Sequence, residues 1–214
     1  MLPGTRMLER PGAGGPAGPG RTGGPFFGRP GDSGAVPLPE ISPGRIGVWL
    51  IVGAVVVLFA AFTSTYVSRR VEPDWQTGPL PAILWVNTIV LLASSAALEW
   101  ARRGSARGAD VVARTALGLT TLLGAAFLAG QVTAWRQLVG AGVYLASNPH
   151  AGFFYLLTGT HAVHLAGGVG ALAYAWWKVR ILAANADAML GALAIYWHFV
   201  DVLWLYVFAI LFWF

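Results

Sequence analysis

The sequence contains no cysteine. Disulfides, thiolate metal centres, iron–sulfur clusters and cysteine nucleophiles are excluded together, and cysteine usage gives no argument about redox compartment. Charge is also scarce, at 11% of residues, against about a quarter in ordinary soluble domains. Histidine is scarcer still, with four in 214 residues. A di-haem cytochrome b needs four intramembrane histidines on two helices, and a catalytic haem–copper centre needs more than the whole chain holds. No internal repeat suggests a transporter built from inverted halves.

What is there is apolar. Hydrophobic residues make up 56% of the chain and mean hydropathy is +0.62, the composition of an integral membrane protein. The isoelectric point near 10.1 does not point to nucleic acid. The basic residues stand between apolar runs and not in one cluster, so they act as topology signals.

Residues 1–43 are dominated by Gly, Pro and Arg, as in GAGGPAGPGRTGGP. Such a segment lacks the apolar content for a core and is read as a tail that is disordered or ordered by a partner. It has no apolar h-region near its start, so it is not a cleaved secretory signal. Residues 44–214 then carry five apolar runs, at about 46–67, 82–100, 111–138, 151–177 and 189–214. Each meets the length of about 20 residues that a spanning helix needs. The expected fold is all-α, a polytopic bundle of five transmembrane helices.

Arginine and lysine orient it. Arg6, Arg10, Arg21, Arg29, Arg45, Arg102, Arg103, Arg107, Arg114, Lys178 and Arg180 fall on one side, and only Arg69, Arg70 and Arg136 on the other. The richer side is expected to be cytoplasmic, with the N-terminus inside and the C-terminus outside. Trp75, Trp85, Trp100, Trp135, Trp176, Trp177 and Trp213, near the ends of the runs, fit interfacial belts. Gly118 and Gly124 on the third run, and Gly167, Gly168 and Gly170 on the fourth, would let helices approach closely.

The polar residues inside the runs are the candidate site. His198 and Asp201 are three apart on one helical face of the last run, and an Asp deep in a span costs roughly 2.5–3.5 kcal/mol without a partner or a function. His161 and His164 share a face of the fourth run. Two histidines at this spacing can supply ligands to a metal or an axial ligand each to haems. More simply, they bond between helices or to a lipid head group. His150 is placed in the loop Asn148-Pro149-His150. Glu99, beside Arg102 and Arg103, reads as a solvated helix end. Asn87, Thr88, Ser94, Ser95, Gln131 and Thr133 read as interhelical hydrogen-bonding groups. Arg136, with Arg69 and Arg70, faces the outer side, toward lipid phosphate or acidic partner residues. An acid–base pair of His198 and Asp201 lacks the nucleophile a hydrolase would need.

Two motifs carry a resemblance. Tyr196-Trp197-His198-Phe199-Val200-Asp201-Val202-Leu203-Trp204-Leu205 resembles the last-helix signature of subunit III of the haem–copper respiratory oxidases, the cytochrome c oxidase family. Thr158-Gly159-Thr160-His161-Ala162-Val163-His164 is similar to that family's T-G-x-H-x-x-H, and Phe127-Leu128-Ala129-Gly130-Gln131 to its third-helix glutamine region. The likeness extends over about residues 46–214 and matches the short, five-helix bacterial form. Two positions depart from it: Val55 and Ala134 stand where many members carry glutamate, which puts a part for those carboxylates in proton uptake in doubt here. Arg69-Arg70 after Tyr66 resembles a subgroup without the first glutamate.

The resemblance implies a bacterial inner-membrane subunit with no haem, copper or catalytic residue of its own. It would pack on subunit I, within a complex that includes subunit II and takes electrons from cytochrome c to oxygen while pumping protons. It would hold phospholipid in a cleft between its first two helices and the remaining three. His161, His164, His198 and Asp201 would be buried polar groups linking the fourth and fifth spans, in company with Trp197, Glu99, Gln131 and Arg136. The alternatives are an accessory subunit of a nitric oxide reductase or quinol oxidase, or an independent transporter or haem protein.

Overall fold

The computed structural model describes residues 43–78, 80–182 and 187–213. Apart from Pro43, the Gly/Pro-rich segment read as a tail lies outside them. Five helices follow: α1 (Pro43–Arg69), α2 (Ile83–Ala106), α3 (Asp110–Gly140), α4 (Pro149–Leu182) and α5 (Asp187–Trp213). Among the described residues there is no strand. Four of the helices are long and apolar enough to cross a membrane. The exception by this measure is α4, whose apolar run is diluted by Thr158, Thr160, His161, His164 and a series of glycines. At 34 residues it is nevertheless the longest, about 51 Å at 1.5 Å per residue. The chain is a multi-pass membrane protein.

Turn chemistry sets the helix ends. After α2, Gly108 adopts φ 68°; its N–H bonds the Ser105 carbonyl at 2.9 Å and the Ala109 N–H bonds the Gly104 carbonyl at 2.9 Å. After α3 the same pattern recurs, with Gly142 at φ 78° and bonds from Gly142 to Val139 and from Val143 to Leu138. Both are Schellman caps, which satisfy carbonyls the helix leaves open and require a residue at ease in the left-handed region. At the start of α4 the Asn148 side chain accepts from the Ala151 N–H at 2.8 Å, with Pro149 at the first helical position, where a missing N–H costs nothing. His150, expected in a loop, is therefore in the first turn of α4, because the Asn148 cap starts the helix just ahead of it.

Helices α2, α3, α4 and α5 close a ring, each packed on the next and α5 back on α2, with α2 and α3 the most extensive pair. α1 lies outside this ring and, among the described helices, packs on α4 and α5. The division expected between the first two helices and the remaining three is not made. α2 belongs with α3, because a three-residue connection holds the two antiparallel and their small residues mesh; a Cβ at Gly104 would stand 3.1 Å from the Ala113 backbone nitrogen. The buried line of α2 runs Leu84, Asn87, Leu91, Ser94, Leu98, Ala101 and Gly104, a three-to-four residue period turned to the ring interior.

The glycines act differently from one another. Gly118, Gly124 and Gly168 receive indole rings: a Cβ at Gly118 would be 2.9 Å from Trp176 Nε1, one at Gly124 2.7 Å from Trp197 Cη2 and one at Gly168 3.1 Å from Trp197 Cζ3. Gly167 and Gly170 face open space, so they bring no helix closer. Trp85, Trp100, Trp177 and Trp213 are exposed, as a belt requires. Trp135 and Trp176 are half-buried and turned to neighbouring helices, and Trp75 packs edge-on to Tyr66 and His150.

Candidate functional site: a polar seam through the helix ring

Antiparallel pairing of α2 and α5 brings their polar groups level. Trp204 Nε1 donates to Thr88 Oγ1 at 2.9 Å, and two turns along, Trp197 Nε1 donates to Ser94 Oγ at 3.0 Å. Both indoles and both hydroxyls are buried. Next to the second pair, Ser95 donates to Asp201 Oδ2, and its hydroxyl lies 2.9 Å from His198 Nδ1. With the Ser95 proton directed to the carboxylate, the remaining contact is made by His198 Nδ1–H donating to Ser95. The α2 serine is thus the hinge between the two α5 groups.

His198 and Asp201 therefore link the fifth helix to the second, where a link to the fourth was expected. The reason is register: the α5 face that carries them also carries Trp197 and Trp204 into α2. Serine, histidine and aspartate together invite comparison with a nucleophilic triad. The order is wrong for one, since a triad places the imidazole between hydroxyl and carboxylate so that it can take the hydroxyl proton. Here the hydroxyl stands between the other two and gives its proton to the carboxylate.

His161 and Gln131 lie on the α3–α4 side of the ring, both fully buried. The His161 ring packs between Phe127, at 5.9 Å between centroids, and Trp204, at 5.0 Å. Neither its nitrogens nor the Gln131 amide has a hydrogen-bond partner among the described residues. The interhelical bonds expected of these two are not made. Those on either side of them are: Trp135 Nε1 donates to Thr158 Oγ1 at 3.1 Å, and Asn87 Nδ2 to the Phe127 carbonyl at 3.4 Å, where the absent side chain of Gly130 leaves room for the Asn87 amide.

His164, although three residues from His161, serves another neighbour. Its Nδ1 lies 2.8 Å from the Thr160 carbonyl in its own helix, and its ring meets Phe59 of α1 at 6.2 Å. Its backbone carbonyl accepts from Tyr196 of α5 at 2.9 Å. Glu99 forms ion pairs with Arg102 at 2.9 Å and Arg103 at 3.2 Å along its own helix; it was expected at a helix end but lies about two turns inside α2, which runs on to Ala106. Arg136 is exposed and joins none of these groups. Thr133 is likewise exposed and bonds back to Ala129 within α3; its position on the outward face of α3 keeps it from bridging helices.

Among the described residues no three His, Asp or Glu converge on a metal site. The groups that sequence reasoning named without their partners are Ser95, Thr88 and Asn87. All were marked as polar residues in an apolar run, but which indole, imidazole or glycine each would meet depends on interhelical register.

The comparisons agree on what kind of chain this is. The family model described as "Cytochrome c oxidase subunit III" matches residues 41–214. A protein of Mycobacterium bovis named "Probable cytochrome c oxidase subunit 3" is 31% identical over 182 residues, covering 80% of this chain and 87% of its own length. The "Cytochrome c oxidase subunit 3" of Bacillus sp. (strain PS3) is 28% identical, covering 78% and 84%. The "Cytochrome bo(3) ubiquinol oxidase subunit 3" of Pseudomonas aeruginosa is 30% identical, covering 78% and 82%. The match spans every helix of the ring, its buried histidines and Asp201 included: the chain belongs to the cytochrome c oxidase subunit III family.

Proposed function

We propose that this chain is a non-catalytic subunit III of a bacterial haem–copper terminal oxidase, an inner-membrane protein that packs against subunit I, steadies it and holds phospholipid. The observation that carries this reading is the family match over residues 41–214. On it, haem and copper belong to subunits I and II, electrons arrive from cytochrome c, and this chain contributes no catalytic residue. All five helices cross the bilayer, α4 included, with its histidines turned into protein or toward α1. The charge distribution supports an N-terminus in the cytoplasm and a C-terminus outside.

The lipid reading is supported at the outer end, where Arg70, Thr77, His150, Leu211, Phe212 and Trp213 line an open pocket of about 280 Å³. A basic residue, a polar rim and an apolar aromatic wall suit a phosphate head group with its chains running down the helices. The P. aeruginosa relative favours a second reading of the donor, in which the complex takes electrons from a quinol.

Purification in mild detergent through a tag on this chain tests the assignment. Co-purification of a multi-helix haem protein, with a-type bands and oxygen uptake on reduced cytochrome c, is the expected result. Uptake on quinol alone would move the chain to the second reading. A chain recovered alone and colourless would overturn both.

A further inference from the structure

We infer that Gln131 and His161 together hold one or two structural water molecules in the interior of the helix ring, forming an internal hydration site at the α3–α4 seam. The first observation is that both side chains are fully buried and that four polar atoms, Gln131 Oε1 and Nε2 and His161 Nδ1 and Nε2, lack protein partners among the described residues. Leaving such groups unbonded forfeits their full desolvation penalty, and in the membrane interior no bulk water offers relief.

The second observation is register. Gly118 faces Trp176 and Gly124 faces Val169, while Trp135 bonds Thr158. As α3 advances, its partner on α4 retreats at nearly one residue for one, so Gln131 falls level with Ala162, next to His161. Phe127, one helical turn before Gln131 on α3, meets the His161 ring, so Gln131 and His161 lie within about one turn of each other along the seam. The orphaned amide and the orphaned imidazole are therefore neighbours across one seam and not separate defects.

The third observation is that the surrounding polar groups are engaged. Thr158 Oγ1 accepts from Trp135 and donates to the Phe154 carbonyl. Trp204, whose ring lies against His161, gives its N–H to Thr88. Phe127, Leu165 and Ala134, each within about one turn of the pair on its own helix, are apolar or small and all buried. A molecule that both donates and accepts, and is small enough to lie beside Ala134, answers these four atoms. Water does so with up to four bonds, which is the usual role of buried water.

The test is a map of the assembled complex at a resolution that shows ordered water. Density within about 3 Å of a Gln131 amide atom and of a His161 ring nitrogen is expected. Gln131 and His161 bonded directly to each other, or to a neighbouring subunit, with no density between, would overturn the inference whatever any variant does. A second reading uses Gln131→Leu, His161→Phe and the double variant in the whole complex, scored by the half-life of this subunit's association in detergent. Each single change strands the remaining group and is expected to shorten the half-life about tenfold; the double change, which removes the need for water, is expected to cost less than either. Strictly additive losses would count against a shared site.

Discussion

The ring of Trp197 lies where Gly124 has no side chain, and a Cβ there would sit 2.7 Å from Trp197 Cη2. The same indole crosses the ring of helices from α5 to reach Gly168 on α4 and donates its N–H to Ser94 on α2. One side chain thus locks four helices. Gly124→Ala should therefore displace a fully buried aromatic and cost about 1–3 kcal/mol, while Gly167→Ala, which meets open space, should be close to neutral. The temperature at which this subunit leaves the detergent-solubilised complex separates the two. Equal shifts would show that Trp197 does not depend on the Gly124 surface.

This arrangement also marks the limit of sequence reading. Helix number and approximate position were legible because runs of apolar residues and their Gly and Asn-Pro boundaries are local signals. But α2 and α4 continue to Ala106 and Leu182, past the ends expected at about 100 and 177, because Arg and Lys are good helix formers that mark where apolar character stops and not where the helix does. His198 and Asp201 stood out because an ionisable pair in an apolar run needs an explanation. Gly124 was legible as a small interhelical residue, but that an indole and not a backbone fills its space follows from the register of α5, which no local pattern encodes. The same holds for Ser95: its composition marked it as polar glue, and only packing made it the shared partner of both ionisable groups. The placement of α1 outside the ring was not legible at all, since an apolar helix carries the same hydropathy against lipid as against protein.

Asp201 is bonded by Ser95, with its second oxygen unpaired among the described residues. Asp201→Asn keeps an oxygen to accept from Ser95 and should assemble nearly as well as the original. Asp201→Leu removes the acceptor of the Ser95 proton while leaving the His198–Ser95 contact in place, at a cost of about 0.6–2 kcal/mol. The expected phenotype is weaker retention of this subunit, with the haem spectrum of the co-purified complex unchanged. Loss of haem from a complex that still assembles would contradict a structural part for Asp201.

Gly108 and Gly142 hold the left-handed position of the two Schellman caps, at φ 68° and 78°. A Cβ meets nothing within 4 Å at either, so Gly→Ala tests backbone conformation alone. About 1–2 kcal/mol is expected at each. Gly108→Ala should matter more for assembly, because the three-residue turn it shapes sets the α2–α3 pairing, and Gly108→Asn should recover part of the loss, since Asn tolerates this region. The midpoint of thermal release, measured for the three variants in parallel, gives the ordering; an Ala variant as stable as the original would mean the turn can rebuild without a positive φ.

Trp204 and Thr88 give the cleanest pairwise measurement. Their 2.9 Å bond is buried and joins α5 to α2, and Thr88 also returns its proton to the Leu84 carbonyl. Thr88→Val keeps the shape and removes the acceptor, while Trp204→Phe removes the donor and leaves a smaller ring beside Phe127, which lies edge-on to Trp204 at 4.9 Å. The Trp204 change alone should be the larger, since it opens space as well as breaking the bond. In the double-mutant cycle the cavity term cancels and the bond remains, at about 0.6 kcal/mol and no more than about 1.7 kcal/mol by analogy with other membrane helices. A coupling indistinguishable from zero would mean that packing of Trp204 against Phe127 and His161, not its hydrogen bond, holds α5 in register against α2.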